Sequence, residues 1–262
     1  MWLAIVSYGG FYRRRAGHGW LFAALAGMAA VNAKRALYGP DEGGGESMRQ
    51  LVIYVHGKGG SAEEAAHYRP LFPDCDVVGL DYEAQTPWEA KEEFPRRFDA
   101  LSAGADAVIL IANSIGAYFS MHALPQTRIA RALLVSPIVD MERLIQDMMG
   151  WSGVTEDELR RRGEIPTAFG ETLSWAYLSY VRAHPLRWRV PTAILYGGRD
   201  SMTSRETVGS FAQRTGAQLT IVEDGEHWFH TEEQMAALDR WAVSAVRSQN
   251  RHAAGGIADE MS

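Results

Sequence analysis

The 262-residue sequence predicts an α/β domain built on a mostly parallel, doubly wound sheet of about six strands with an inserted helical cap. Three observations predict it. Short apolar runs alternate with longer amphipathic segments from Gln50 onward. One interval of more than fifty residues, between Pro137 and Pro191, interrupts that alternation without a good strand. Residues able to carry chemistry fall just past the ends of several runs, where the loops of a parallel sheet converge.

The apolar runs are Leu51–His56, Cys75–Asp81, Ala107–Asn113, Ala132–Ser136, Pro191–Tyr196 and Ala217–Val222. Each is short, β-branched or Leu-rich, and bounded by Gly, Pro, Asp or Asn. Continuous apolar runs of this kind read as strands buried on both faces of a parallel sheet. Between them, amphipathic patterns predict helices over Ala62–Leu71, Trp88–Leu101, Ala117–Leu124, Ser204–Thr215 and Glu232–Arg247. The long interval carries three helical patterns, Met141–Met149, Glu156–Arg162 and Glu171–His184, and is read as a cap over about residues 138–190. Its Trp151, Trp175, Tyr177, Tyr180, Trp188, Met148 and Met149 either pack the cap onto the core or in part line an apolar acyl or alcohol pocket.

Composition narrows the function classes. Net charge is -6 with no long basic run, which argues against a nucleic-acid partner. The single cysteine, Cys75, excludes an intrachain disulfide framework and a multi-cysteine metal site, and is expected to be a small buried hydrophobe. A reducing, cytoplasmic setting fits. Residues 1–47 differ from the rest, with five basic residues against three acidic ones and a Gly43-Gly44-Gly45 run before Met48. The apolar stretch Trp20–Val31 is too short for a comfortable membrane span. It reads either as the hydrophobic part of an export signal or as sequence ahead of a start at Met48. The folded domain proper is expected over 48–248, with a flexible tail at 249–262.

The run from Ala107 enters Ala112-Asn113-Ser114-Ile115-Gly116 and a helical segment follows. A tight strand-to-helix turn with small residues two places either side of a serine lifts its hydroxyl to the top of the sheet. Here Ala112 and Gly116 hold those places, and Ala is small enough for the first. A serine needs a base to take its proton, and that base needs a carboxylate to orient it. The run Thr192–Tyr196 leads into Gly197-Gly198-Arg199-Asp200, and Leu219–Val222 leads into Glu223-Asp224-Gly225-Glu226-His227. Asp200 and His227 therefore sit in loops at the same end of the sheet as Ser114. At the end of the first run, His56-Gly57-Lys58-Gly59-Gly60 is suited to point backbone N–H groups at a developing oxyanion. The donors expected are the amides of Lys58 and Ile115. The Lys58 ammonium is expected to face solvent, and His56 to brace the loop.

With HGKGG, ANSIG, YGGRD and GEHWF in this order, the chain resembles the α/β-hydrolase superfamily over roughly residues 50–248. Its layout is similar to the serine aminopeptidase-like and monoacylglycerol-lipase-like hydrolases. The resemblance implies Ser114 as nucleophile, Asp200 as orienting acid and His227 as base. It also implies a leading β-hairpin that the chain from residue 48 lacks, unless residues 1–47 supply it.

Asp140 follows another run and is the alternative acid, since some hydrolases of this fold use that position. His227 and His230 lack the third ligand of a metal site, so no metal is expected. The glycines at 57, 59 and 60 do not complete a phosphate loop and no dinucleotide pattern occurs, so no cofactor is expected. His67 and His122 read as surface or packing residues. The expected function is hydrolysis of carboxylic esters through an acyl-enzyme, on a small, moderately apolar acyl substrate. Peptidase or thioesterase activity is the alternative within the enzyme class. A catalytically silent small-molecule-binding protein is the alternative outside it.

Overall fold

Six parallel strands form the central sheet: β1 (Gln50–Val55), β2 (Asp76–Leu80), β3 (Ala107–Asn113), β4 (Ile129–Val135), β7 (Thr192–Gly197) and β8 (Gln218–Val222). The structure is a computed structural model that describes residues 49–255. The expectations for residues 1–48 and 256–262 lie outside the described residues. Arg49–Pro166 and the chain from Thr172 onward form one compact unit, which carries every strand and helix of the described residues.

The strand order is β2-β1-β3-β4-β7-β8. The chain leaves β1 toward one edge, makes β2, then crosses back over β1 to lay down β3 and continue the other way. Its direction of growth thus reverses between β1 and β3. Loops after those two strands diverge and leave a crevice at their carboxyl ends, the place where open α/β sheets bind ligands.

The strands form where the sequence is apolar because the sheet is covered on both faces. In β3 the run Val108–Ala112 is fully buried. Each buried Leu or Ile contributes roughly 1.5–3 kcal/mol over leaving it exposed. Alternate residues serve opposite layers. Leu51, Ile53, Val55, Leu110, Ala112 and Leu134 face one core together with Phe94 and Phe98 of α1 (Pro87–Leu101). Phe119 of α2 (Ser114–Ala123) and Phe211 of α6 (Arg205–Thr215) join that core. Val52, Tyr54, Ile111, Leu133 and Leu195 face the other, covered by Leu238, Trp241 and Ala242 of α7 (Glu232–Gly255).

The interval between β4 and β7 holds α3 (Met141–Ser152), α4 (Glu156–Arg162) and α5 (Trp175–Ala183), close to the three helical patterns. It also holds a strand pair that the sequence reading missed, β5 (Glu164–Pro166) antiparallel to β6 (Thr172–Ser174). Each is three residues long with one buried apolar side chain, Ile165 or Leu173, too little for an alternating pattern to register. Three further differences have local causes. The expected helix Ala62–Leu71 is two 3-10 segments, Ala62–His67 and Arg69–Leu71. Pro70 lacks the N–H that an α-helix would need there. The last helix runs on to Gly255, into the stretch read as tail. Cys75 is half-buried, not buried, and its thiol lies 3.7 Å from Gln50 Oε1 as donor.

Candidate active site

Ser114 is the first residue of α2, directly after the last residue of β3, with φ at 50°. A side chain in this left-handed region costs about 1–3 kcal/mol unless the surroundings impose it. The surroundings are Ala112, fully buried, and Gly116, where an added Cβ would stand 2.0 Å from the His56 carbonyl oxygen. The first turn of α2 thus packs directly on the backbone leaving β1. Ala112 is 0% exposed and pairs with Val55 of β1 and Leu134 of β4, so a small side chain fills the place of the elbow's first glycine.

The loops after β7 and β8 bring Asp200 and His227 to this serine. Gly198 N–H donates to Val222 O and Arg199 N–H to Gly225 O, both at 2.8 Å, so the two loops are fastened to one another. His227 Nε2 lies 2.8 Å from Ser114 Oγ, and His227 Nδ1 lies 2.7 Å from Asp200 Oδ2. A carboxylate can only accept, so Nδ1 carries the proton and Nε2 is free to accept from the Ser114 hydroxyl. The other Asp200 oxygen accepts from the backbone N–H of Met202 at 2.7 Å and of Thr203 at 3.2 Å. The Tyr196 hydroxyl donates to Thr203 O at 2.8 Å and holds that turn against β7. The Asp200 side chain is 0% exposed and that of His227 6%. Their contact is therefore shielded from water, where an ionic hydrogen bond is strongest.

Lys58 and Ile115, the expected oxyanion donors, lie on the turn after β1 and at the start of α2. Ile115 follows Ser114 in the first turn of α2, where backbone N–H groups have no partner within the helix. Lys58 lies in the turn after β1, with its side chain exposed as expected. That turn abuts the serine, since a Cβ on Gly57 would be 3.2 Å from Ser114 Cβ. Gly57 O accepts from Gly60 N at 3.2 Å and from His56 Nδ1 at 2.8 Å. His56 thus sits as a loop brace and takes no part in the Ser114–His227–Asp200 chain.

The remaining sequence candidates fall elsewhere. Asp140, the alternative acid, caps α3 by accepting from Arg143 N at 2.9 Å. Glu223 pairs with Arg205 and Asp224 with Arg199 on the surface. His67 binds Asp239 at 2.7 Å, and His230 is exposed beside Glu226. Of the aromatics between β4 and β7, Trp188 is buried and donates to Thr192 Oγ1 at 2.7 Å. Trp175, Tyr177 and Tyr180 pack half-buried against the core, while Trp151 is exposed. Among the described residues, no group of three or more His, Cys, Asp or Glu could hold a metal ion, and no helix is long and apolar enough to cross a membrane.

Two sets of contacts escaped the sequence reading. Tyr54 OH donates to Glu64 Oε2 at 2.5 Å and accepts from Asn113 Nδ2 at 3.0 Å, tying the residue before Ser114 to the 3-10 segment after β1. Tyr82 OH donates to His56 O at 2.9 Å, and its ring stacks on the His56 ring. Both join residues separated in sequence, and only the tyrosine in the otherwise aliphatic run of β1 hints at one of them.

No protein-family model matches the sequence, and no curated protein sequence matches it. Solved structures do. The alpha/beta hydrolase domain-containing protein 10 from mouse superposes with a TM-score of 0.62 at 12% identity, over 76% of this chain and 90% of that one. Est1E from Butyrivibrio proteoclasticus gives 0.57 at 13% identity, over 80% and 90%. An esterase from Pyrococcus furiosus gives 0.50 at 16% identity, over 78% and 81%. Likeness at such low identity speaks to architecture alone. The chain adopts the α/β-hydrolase fold.

Proposed function

We propose that the protein is a serine hydrolase that cleaves carboxylic esters through an acyl-enzyme. The observation that carries this reading is the continuous hydrogen-bonded chain from Ser114 Oγ through the His227 ring to Asp200. Ser114 Oγ attacks the ester carbonyl carbon while its proton passes to His227 Nε2. Asp200 stabilises the imidazolium that results. The carbonyl oxygen, now negative, is received by the amides of Lys58 and Ile115. Collapse of this intermediate expels the alcohol, which takes the proton from His227. A water then attacks the acyl-enzyme with His227 again as base, releasing the acid and restoring Ser114. Positioned proton transfer supplies about 10²–10⁴-fold. Each oxyanion donor supplies roughly 10²–10³-fold.

The segment at about 138–190 serves in this reading as a cap that contributes apolar surface to the acyl or alcohol subsite. Two of the structural neighbours support an ester substrate. One is named an esterase, and Est1E has been solved with ferulic acid bound. The test is a panel of p-nitrophenyl esters of graded chain length, run beside acyl thioesters and aminoacyl-nitroanilides. Turnover greatest among the esters is expected. Turnover of nitroanilides or thioesters with none of esters would replace the ester reading by a peptidase or thioesterase. No turnover of any of the three would favour a silent binding protein.

A further inference from the structure

The turn that carries Lys58 is shaped by a residue outside it. Tyr82 lies in the loop just past β2, the strand next to β1, and reaches back to His56 in two ways. Its hydroxyl donates to the His56 carbonyl at 2.9 Å, and its ring lies parallel to the His56 ring at 4.2 Å with 13° between planes. Tyr82 itself has little freedom. It is 9% exposed, and its ring packs against Phe94 at 4.9 Å and Phe119 at 6.2 Å. Burial, with the Glu64 and Glu93 carboxylates nearby, pushes its ionisation well above the usual tyrosine range, so the hydroxyl stays a donor.

His56 transmits this grip to the next peptide. Its Nδ1 is 2.8 Å from Gly57 O, and since a carbonyl only accepts, Nδ1 carries the proton. Gly60 N–H donates to the same oxygen at 3.2 Å. The C=O and N–H of one planar trans peptide point in opposite directions. Fixing Gly57 O therefore fixes the direction of the Lys58 N–H, on a turn whose Gly57 would touch Ser114 Cβ if it bore a side chain. A rotation of that peptide would present a carbonyl oxygen where the reaction needs a donor.

We infer that Tyr82 is a positioning residue for ester hydrolysis, holding His56 so that the Gly57–Lys58 peptide keeps its N–H toward the carbonyl oxygen attacked by Ser114. The inference rests on the serine-hydrolase reading above. It predicts a defect in stabilising the oxyanion and not in binding the ester. Tyr82→Phe keeps the ring stack and removes the donor, whereas Tyr82→Leu removes both. The test measures kcat and KM of wild type and both variants on the best p-nitrophenyl ester, per fluorophosphonate-titrated site, and affinity for a trifluoromethyl ketone that becomes an oxyanion when bound.

For Tyr82→Phe, kcat is expected to fall about tenfold, KM to stay within about twofold, and ketone affinity to fall by about the same factor as kcat. Tyr82→Leu is expected to lose about 100-fold in kcat. If Tyr82→Leu does not fold, Tyr82→Phe alone decides. Kcat and ketone affinity of Tyr82→Phe within about twofold of wild type, or a change confined to KM, would overturn the inference and leave the hydrolase reading intact. A wild-type protein that neither turns over esters nor reacts with the fluorophosphonate would overturn both.

Discussion

A Cβ on residue 116 would stand 2.0 Å from the carbonyl oxygen of His56, so Gly116 is the point at which α2 and the exit of β1 share backbone surface. The contact couples two parts of the candidate site. Through it the turn bearing Ser114 and the turn bearing Lys58 hold each other in register, with Ser114 O accepting from Ile138 N at 3.2 Å on the opposite side.

Gly116→Ala should therefore be severely destabilising. The obstacle is backbone, not the flexible end of a side chain, so relief needs one of the two turns to move. A loss of about 3 kcal/mol or more is expected from overpacking at so rigid a place. Urea unfolding monitored by tryptophan fluorescence measures it. An unchanged midpoint would mean the two backbones are farther apart than described.

The backbone of Ser114 makes a separate prediction. Ser114→Gly and Ser114→Ala both remove the hydroxyl, but only alanine keeps a Cβ at φ 50°. The glycine variant should be more stable than the alanine variant by about 1 kcal/mol, relief of strain outweighing the entropy that glycine adds to the unfolded chain. Paired thermal denaturation scans make the comparison.

The balance between what the sequence displays and what it hides follows from how far apart the interacting residues lie. The inner strands of the sheet are legible because burial on both faces leaves apolar runs such as Val108–Ala112, while the edge strands β2 and β8 are only partly buried. The strand β4 begins at Ile129, earlier than its apolar run from Ala132, because Ala130 is exposed and Arg131 breaks the run. The meeting of Ser114, Asp200 and His227 is legible because each lies in the turn or loop after a strand, and parallel strands gather such loops at one end. The Tyr82–His56 clamp and the Glu64–Tyr54–Asn113 chain are not. They link neighbouring strands through side chains whose partners are set by register, Tyr54 beside Gly79 and Ile111, and register is not written in either strand alone.

Asp200→Asn should leave the fold standing and remove activity. The asparagine oxygen can still accept from Met202 and Thr203 N–H, which turns its amide nitrogen toward His227 Nδ1. Nδ1 must then accept, the ring proton moves to Nε2, and the Ser114 hydroxyl loses its base. A fall in kcat of roughly 10³–10⁴-fold with KM little changed is expected. Steady-state ester kinetics, with near-ultraviolet circular dichroism as a check on folding, tests it.

Acid should loosen the packing of α5 on α2. His122 is half-buried, stacks on Tyr118 and lies 3.1 Å from Tyr180 OH, with Lys91 and His184 close enough to repel a proton. Burial, and then the neighbouring Lys91 and His184, lower its pKa from the usual 6.5. The folded protein therefore binds this proton less readily than the unfolded chain. The stability due to neutral His122 is complete above the unfolded value and is lost as pH falls through the lower folded one. Between about pH 7.5 and about pH 5.5 the melting temperature of wild type should drop more than that of His122→Gln. Equal drops would place the acid sensitivity elsewhere.

The role of Ser114 as nucleophile is tested most directly by intact-mass spectrometry after incubation with a fluorophosphonate. One phosphonyl adduct per chain on wild type, mapped to Ser114 by peptide digestion and absent from Ser114→Ala, is the predicted result. No adduct on wild type, or equal labelling of the two proteins, would contradict it.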